Sequence, residues 1–331
     1  MRIGIIGAGT WGMALARMLS NSGHVVEVWS PHSETVDLLA ATRIQKNLPD
    51  MIIPEEVRLT KEMEQVCKDK DMVVFAVPSI YVRPAARQAN PFIHIGQIIV
   101  DVSKGIEAET LMTLSEVIHD EVKANVKVVV LSGPTHAEEV ARDLPSAIVS
   151  ACEDITVAEI VQDVFMNSCL RVYTNTDVKG VELCGALKNI IALAAGMSAG
   201  LGYGDNAKAA LITRGLAEIT RLGEKLGCAR DTFAGLAGVG DLIVTATSMH
   251  SRNNRCGYLI GQGYETADAV KRVGMVVEGI KALPAASAFA EKYEVDMPIV
   301  RAVDAIVNHN ADPRTVVARL MERDKTAERK G

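Results

Sequence analysis

From Leu183 to Gly204 the chain carries a single charge, Lys188, among aliphatic, small and glycine residues, with one amide, Asn189, beside it. Burying an unpaired ammonium is costly. Such a group tends to lose its proton, because desolvation can lower a lysine pKa by up to about 3–5 units. A lysine in this setting is a candidate general base near neutral pH. The other use of the same residue is a stem packed on an Ala-rich helix with its head in water. Three more stretches place polar groups in apolar surroundings. Lys104 directly follows a buried aliphatic run and could reach a bound anion or substrate oxygen, or lie in an exposed loop. Asp241 follows the Gly-rich run 235–240 and precedes an apolar helix start, where on its own it reads as an N-cap. Ser251, Arg252, Asn253, Asn254 and Arg255 offer two guanidinium groups with hydroxyl and amide donors. That set suits a phosphate clamp or a solvated polar loop.

These residues need a scaffold, and the N-terminal half supplies a readable one. Residues 2–7 are an aliphatic run that breaks into Gly7-Ala8-Gly9-Thr10-Trp11-Gly12. A helical pattern follows over Met13–Ser20, then a second aliphatic run over Val25–Trp29. This is strand, G-x-G-x-x-G, helix, strand. Gly7 allows the tight turn, Gly9 lets a pyrophosphate approach the backbone, and Gly12 lets helix and strand pack closely. Dinucleotide binding is the expectation. The second strand ends in Trp29-Ser30-Pro31-His32, with no carboxylate before Glu34 to bind a ribose 2′-hydroxyl and no Arg to bind a 2′-phosphate. Both NADP(H) and NAD(H) remain open.

Further strands are expected at Met72–Val77, Ile98–Val102, Val126–Leu131, Ala147–Ala151 and Leu170–Tyr173, with helices such as Ala108–Val122 and Thr156–Phe165 between them. Near-continuous aliphatic strands alternating with helices predict a mostly parallel sheet covered on both faces. Ligands bind at the carboxyl ends of such strands. Lys104 and the segment Gly133–Thr135 stand at two of those ends. Beyond Tyr173 the strand signal stops, and helices are expected at 178–197, 205–226, 232–236, 252–259, 267–273, 278–292, 298–308 and 313–322. The predicted fold class is α/β, a Rossmann-like N-terminal part over 1–178 and an all-α part over 179–331, with the Lys188 helix bridging them. The charged tail 323–331 is read as frayed.

Composition narrows the partners. The net charge of −6 argues against a nucleic-acid surface. Six cysteines without CxxC spacing indicate reduced thiols, no metal site and a cytoplasmic setting. No unbroken apolar run reaches 18 residues, so no membrane span is expected.

Taken in order and spacing, GAGTWG, SKGIE, SGPTHAEE, GALKNIIALAAGMSAGLGYGDNAKAALITRGLAE, GVGDLIVT, SRN and VVEG resemble the NAD(P)-dependent sn-glycerol-3-phosphate dehydrogenases, in particular the soluble, homodimeric bacterial type. The resemblance spans nearly the whole chain. It implies reversible hydride transfer between sn-glycerol 3-phosphate and dihydroxyacetone phosphate, running in bacteria toward glycerol 3-phosphate for phospholipid synthesis. It implies Lys188 as proton acceptor or donor, and Lys104 in contact with cofactor and substrate. Gly133, Thr135 and Asn189 are implied to line the substrate site. Asp241 and Thr245 are implied beside Lys188, which replaces the N-cap reading of Asp241. Ser251, Arg252 and Asn253 are implied on the substrate phosphate, with Arg252 reaching the cofactor. Gly7, Gly9, Thr10, Trp11, Gly12, Pro31, Ala137, Val276 and Glu278 match cofactor positions. Two departures bear on cofactor choice. Asn254 stands where many relatives have Arg or Lys, and Pro31-His32 replaces a basic pair. The other enzyme type with this plan is a β-hydroxyacid or ketopantoate-type dehydrogenase related in fold to 6-phosphogluconate dehydrogenase.

Overall fold

The computed structural model describes residues 1–325 and 327–328. In it the aliphatic runs pair into one sheet. The strands in chain order are β1 (Arg2–Ile6), β2 (Val25–Trp29), β3 (Ile44–Gln45), β4 (Leu48–Ile52), β5 (Arg58–Thr60), β6 (Met72–Phe75), β7 (Ile98–Asp101), β8 (Lys127–Ser132), β9 (Ser146–Ala151) and β10 (Leu170–Asn175). Eight of them form a sheet of order β10-β9-β8-β7-β6-β1-β2-β5. From β8 to β5 all neighbours are parallel. β9 runs antiparallel to β8, and β10 runs parallel to β9. One sheet face is closed by Met13, Leu15 and Leu19 of the helix Thr10–Asn21, packed with Ile3, Ile5 and Val28. The other is closed by Ala85, Ala86, Val117 and Ile118, packed with Ile6, Val73 and Phe75. Burial on both faces explains why these strands are aliphatic throughout.

Three short strands went unread in the sequence. β3 and β4 make a separate antiparallel ribbon, and β5 pairs with β2 over only three residues. β3 and β5 are too short to show a period, and Pro49-Asp50 interrupts the apolar pattern of β4. The helix expected at 108–122 is confined to Leu114–Glu121. It starts late because Thr113 and Glu116 form a reciprocal capping box, while the preceding turn carries Leu111 at φ +60.

Helices fill the rest, beginning with Val178–Gly200. That helix is long and apolar enough to cross a membrane by length and composition. Its residues from Gly180 to Ser198 are all buried in protein. The helix Arg252–Gly261 lies against it at backbone distance. A Cβ on Gly196 would sit 2.1 Å from the Asn254 carbonyl oxygen, and one on Gly257 would sit 2.0 Å from that of Leu193. The helix expected at 232–236 is placed at Arg230–Ala234, followed by a wide turn over Leu236–Gly240. Gly238 allows that turn, since a Cβ there would meet the Phe233 carbonyl oxygen at 2.0 Å. Val130, Val149 and Ala151 of the sheet share one apolar cluster with Leu183, Leu187 and Ile191. Of the tail, residue 326 and residues 329–331 lie outside the described residues.

Candidate active site

The fingerprint turn has the geometry its glycines imply. Gly7 adopts φ +122, and a Cβ there would lie 2.5 Å from the Ala76 carbonyl oxygen. A Cβ on Gly12 would lie 2.0 Å from the Gly7 carbonyl oxygen, whereas the space around Gly9 is open. The helix begins at Thr10, and among the described residues no side chain caps its first turn. Open space over Gly9 and uncapped N–H groups make a cradle that fits a pyrophosphate. Trp11 is half-buried beside it, and Pro31 lies exposed past the end of β2. Asn47, at the turn between β3 and β4, donates Nδ2–H to Thr10 Oγ1 at 3.1 Å. Sequence reasoning missed this residue because the ribbon that carries it has no local signature.

Lys188 is 4% exposed. Its Nζ lies 2.7 Å from Asp241 Oδ1 and also donates to Thr245 Oγ1. Thr245 in turn donates to the Asp241 carbonyl oxygen at 2.6 Å. Lys104, carried by the loop after β7, donates to the other oxygen, Asp241 Oδ2, at 2.6 Å and to the Gly133 carbonyl oxygen at 3.1 Å. Asp241 is 2% exposed, so one buried carboxylate bridges two ammonium groups from opposite halves of the chain. It begins the helix Asp241–Thr247 but caps nothing, since both its oxygens face lysines. Burial is the largest influence on Lys188 and pulls its pKa down from 10.5 to about 7; Asp241 pushes it up, and Lys104 opposes it. Gly185, one turn before Lys188, packs closest to Ser132: a Cβ there would lie 3.0 Å from Ser132 Oγ and in ordinary contact, 3.5 Å, with Lys104 Cγ.

The expected substrate residues gather around this centre. Thr135 Oγ1 donates to the Gly133 carbonyl oxygen at 3.2 Å. Asn189 Oδ1 accepts from Asn253 Nδ2 at 2.9 Å, and Asn253 Oδ1 accepts from the Gly279 N–H at 2.8 Å. Ser251 caps the helix Arg252–Gly261 by accepting from the Asn254 N–H. Arg252 is half-buried; burial lowers its pKa, while Glu278 and Glu138 favour its charge. Asn254 is buried and donates to the Ala246 carbonyl oxygen at 2.7 Å, so its amide supports the backbone. Ala137 opens the short helix after β8, and Val276 stands two residues before Glu278. The Glu278 carboxylate accepts from Ser79 N–H at 3.1 Å and Ser79 Oγ at 2.6 Å, tying the loop after β6 to the helical half. Ser79 was not foreseen, because its partner is 199 residues away.

The sheet half and helical half each match a family description. Residues 2–158 match the NAD-dependent glycerol-3-phosphate dehydrogenase N-terminus, and residues 177–318 match the corresponding C-terminus. The chain belongs to the NAD-dependent glycerol-3-phosphate dehydrogenase family. A glycerol-3-phosphate dehydrogenase [NAD(P)+] 2 of Lactobacillus delbrueckii subsp. bulgaricus is 64% identical over 332 residues, covering 99% of this chain and 98% of the relative. One from Bacillus subtilis is 47% identical over 330 residues, covering 99% and 96%. The crystal structure of glycerol-3-phosphate dehydrogenase from Coxiella burnetii superposes with a TM-score of 0.93 at 36% identity, covering 97% of this chain and 99% of that one. That structure therefore shares the fold of this chain over nearly its whole length.

Proposed function

We propose that this protein is an NAD(P)-dependent glycerol-3-phosphate dehydrogenase that interconverts dihydroxyacetone phosphate and sn-glycerol 3-phosphate, with Lys188 as its proton-transferring group. The observation that carries this reading is the buried carboxylate of Asp241 shared by Lys188 and Lys104, in a chain of this family. Lys188 Nζ has two of its directions held, by Asp241 and by Thr245. The third is left for the substrate C2 oxygen. A neutral Lys188 accepts the hydroxyl proton in alcohol oxidation, and a charged Lys188 returns it in ketone reduction. A pKa of about 7 makes both forms available near neutral pH. Lys104, fixed by the Gly133 carbonyl and by Asp241, stabilises negative charge developing on that oxygen. The nicotinamide, when bound, supplies or takes the hydride.

Gly133, Thr135 and Asn189 form the substrate wall, with Ser251, Arg252 and Asn253 on the phosphate. That dianion provides binding energy remote from the reacting carbon, which serves to position it. Gly7, Gly9, Thr10, Trp11 and Gly12 receive the pyrophosphate side of the cofactor. Pro31, Lys104, Ala137, Arg252, Val276 and Glu278 complete its contacts. With no carboxylate at the end of β2, both NADPH and NADH are accepted. The cofactor part is 1–178 and the helical substrate part 179–331, a boundary two residues inside the C-terminal family match, which begins at 177. By the family reading the enzyme acts as a cytoplasmic homodimer in phospholipid precursor synthesis.

The test is initial-rate oxidation of NADH and NADPH with dihydroxyacetone phosphate, set against unphosphorylated 2-keto and β-keto acids. Turnover of the phosphorylated ketone is expected. Turnover of the acids alone would replace this reading with a β-hydroxyacid or ketopantoate-type dehydrogenase.

A further inference from the structure

The loop leaving β8 places His136 one residue past Thr135, and the turn entering the helix Arg252–Gly261 places His250 one residue before Ser251. Their ring centroids lie 5.8 Å apart with planes inclined at 52°. His136 is half-buried and His250 exposed, so the outer ring rests on the inner one. Nε2 of His136 is fully covered and has no hydrogen-bond partner among the described residues. A substrate atom therefore does not reach it, and its influence must pass through its neighbours. Those neighbours come from four elements. Glu138 and Glu139 lie on its own short helix Ala137–Val140, Lys188 on the long helix, the Val244 carbonyl on the helix Asp241–Thr247, and His250 on the turn. Burial holds the His136 pKa below its ordinary 6.5; Glu138, Glu139 and the Val244 carbonyl oppose this, and Lys188 reinforces it.

The turn that His250 caps is held mainly from within. The His250 N–H donates to Ser248 Oγ at 3.1 Å, and the Ser251 N–H donates to the Ser248 carbonyl oxygen at 3.1 Å. The ring of His136 gives it a support from the sheet half. We propose that His136 is a positioning residue for the substrate phosphate: as a neutral ring it seats His250 and so fixes Ser251, Arg252 and Asn253, and a proton on it loosens that turn. A covered imidazole with an unpartnered nitrogen cannot be solvated where it sits when it gains charge. The ring must move, and the ring resting on it moves with it. This rests on the reading of the Ser251–Asn253 segment as the phosphate site.

The test is the KM for dihydroxyacetone phosphate across about pH 5.5–8 in the parent enzyme, His136→Phe and His250→Ala. Phe keeps an aromatic seat that takes no proton, so this variant supplies the baseline for titration of the substrate phosphate itself. The parent KM is expected to rise about fivefold or more above that baseline toward pH 5.5. His250→Ala, at an exposed position, is expected to raise KM about fivefold at pH 7.5 with far less effect on kcat. Superposing KM profiles of the parent and His136→Phe would overturn the proposal. So would a His250→Ala variant whose loss lies in kcat alone. A parent enzyme with no dihydroxyacetone phosphate turnover at any pH removes the functional reading beneath it, a failure distinct from either.

Discussion

Replacing Asp241 by Asn keeps the side chain's shape and removes the charge that two ammonium groups share. Lys188 Nζ lies 2.7 Å from one carboxylate oxygen and Lys104 Nζ 2.6 Å from the other. At an effective dielectric of about 20, one contact at this separation is an attraction of about 6 kcal/mol. Local relaxation recovers part of it, and removing one partner of a buried pair costs about 3–5 kcal/mol in practice. At about 1.4 kcal/mol per pKa unit, the Lys188 pKa moves by about 2–4 units. The sign is downward, because Asp241 favours the charged lysine. Starting from about 7, the amine of Asp241→Asn is neutral across the working pH range. Ketone reduction requires the protonated form, whose share at pH 7.5 falls by about 10²–10⁴-fold. The reductive kcat/KM should fall with it. Oxidation of sn-glycerol 3-phosphate should lose its rise through about pH 7, an inflection that belongs to the coupled lysine–aspartate group. The assay is initial rates in both directions from about pH 5.5 to 9. An inflection persisting near pH 7 in the variant, or reduction within tenfold of the parent, refutes Asp241 as the group that holds the Lys188 proton.

Arg252→Ala should raise the KM for dihydroxyacetone phosphate about 10–100-fold, the worth of a charge-assisted contact to phosphate; unchanged KM and kcat would remove Arg252 from the phosphate site. Asp101 ends β7 fully buried with Oδ2 unpartnered among the described residues, and burial pushes its pKa from 3.8 up to about 8, with Glu182 adding to the rise. The folded state thus holds a proton that the unfolded state releases near pH 4. Stability is lost progressively as pH rises from about 4 through about 8. Asp101→Asn keeps the acceptor for the Ser103 N–H and lacks this loss, so its melting temperature should gain on the parent by several degrees more at pH 8 than at pH 5. Equal differences at the two pH values would show that Asp101 is not protonated in the fold.

The parts of this architecture with a local cause were legible in the residues. Gly7 and Gly12 announce a turn that only glycine can make, Gly9 leaves its outer side open, and the aliphatic strands announce a sheet covered on both sides. Lys188 stood out because no other charge lies near it in the chain. What escaped was set by partners distant in sequence. Asp241 looks like an N-cap until two lysines, 53 and 137 positions earlier, take both its oxygens. Glu278 and Ser79, or His136 and His250, meet only once the halves pack. Asn47 rides on a ribbon whose strands show no readable period. Much of the site was reached through the resemblance of its motifs to a known family, because that resemblance brings long-range pairings that local patterns in one sequence do not show.

The apolar cluster that joins Val130, Val149 and Ala151 of the sheet to Leu183, Leu187 and Ile191 has a consequence for modularity. The two halves are not interchangeable parts, because neither completes its interior alone. Separating them would strip the Lys188 helix on the side facing the sheet and leave Lys104 and Asp241 on different molecules. Cooperativity and catalysis are expected to be tied together, because the packing that joins the halves also holds the two lysines on one carboxylate. Heat inactivation should therefore track global unfolding rather than precede it.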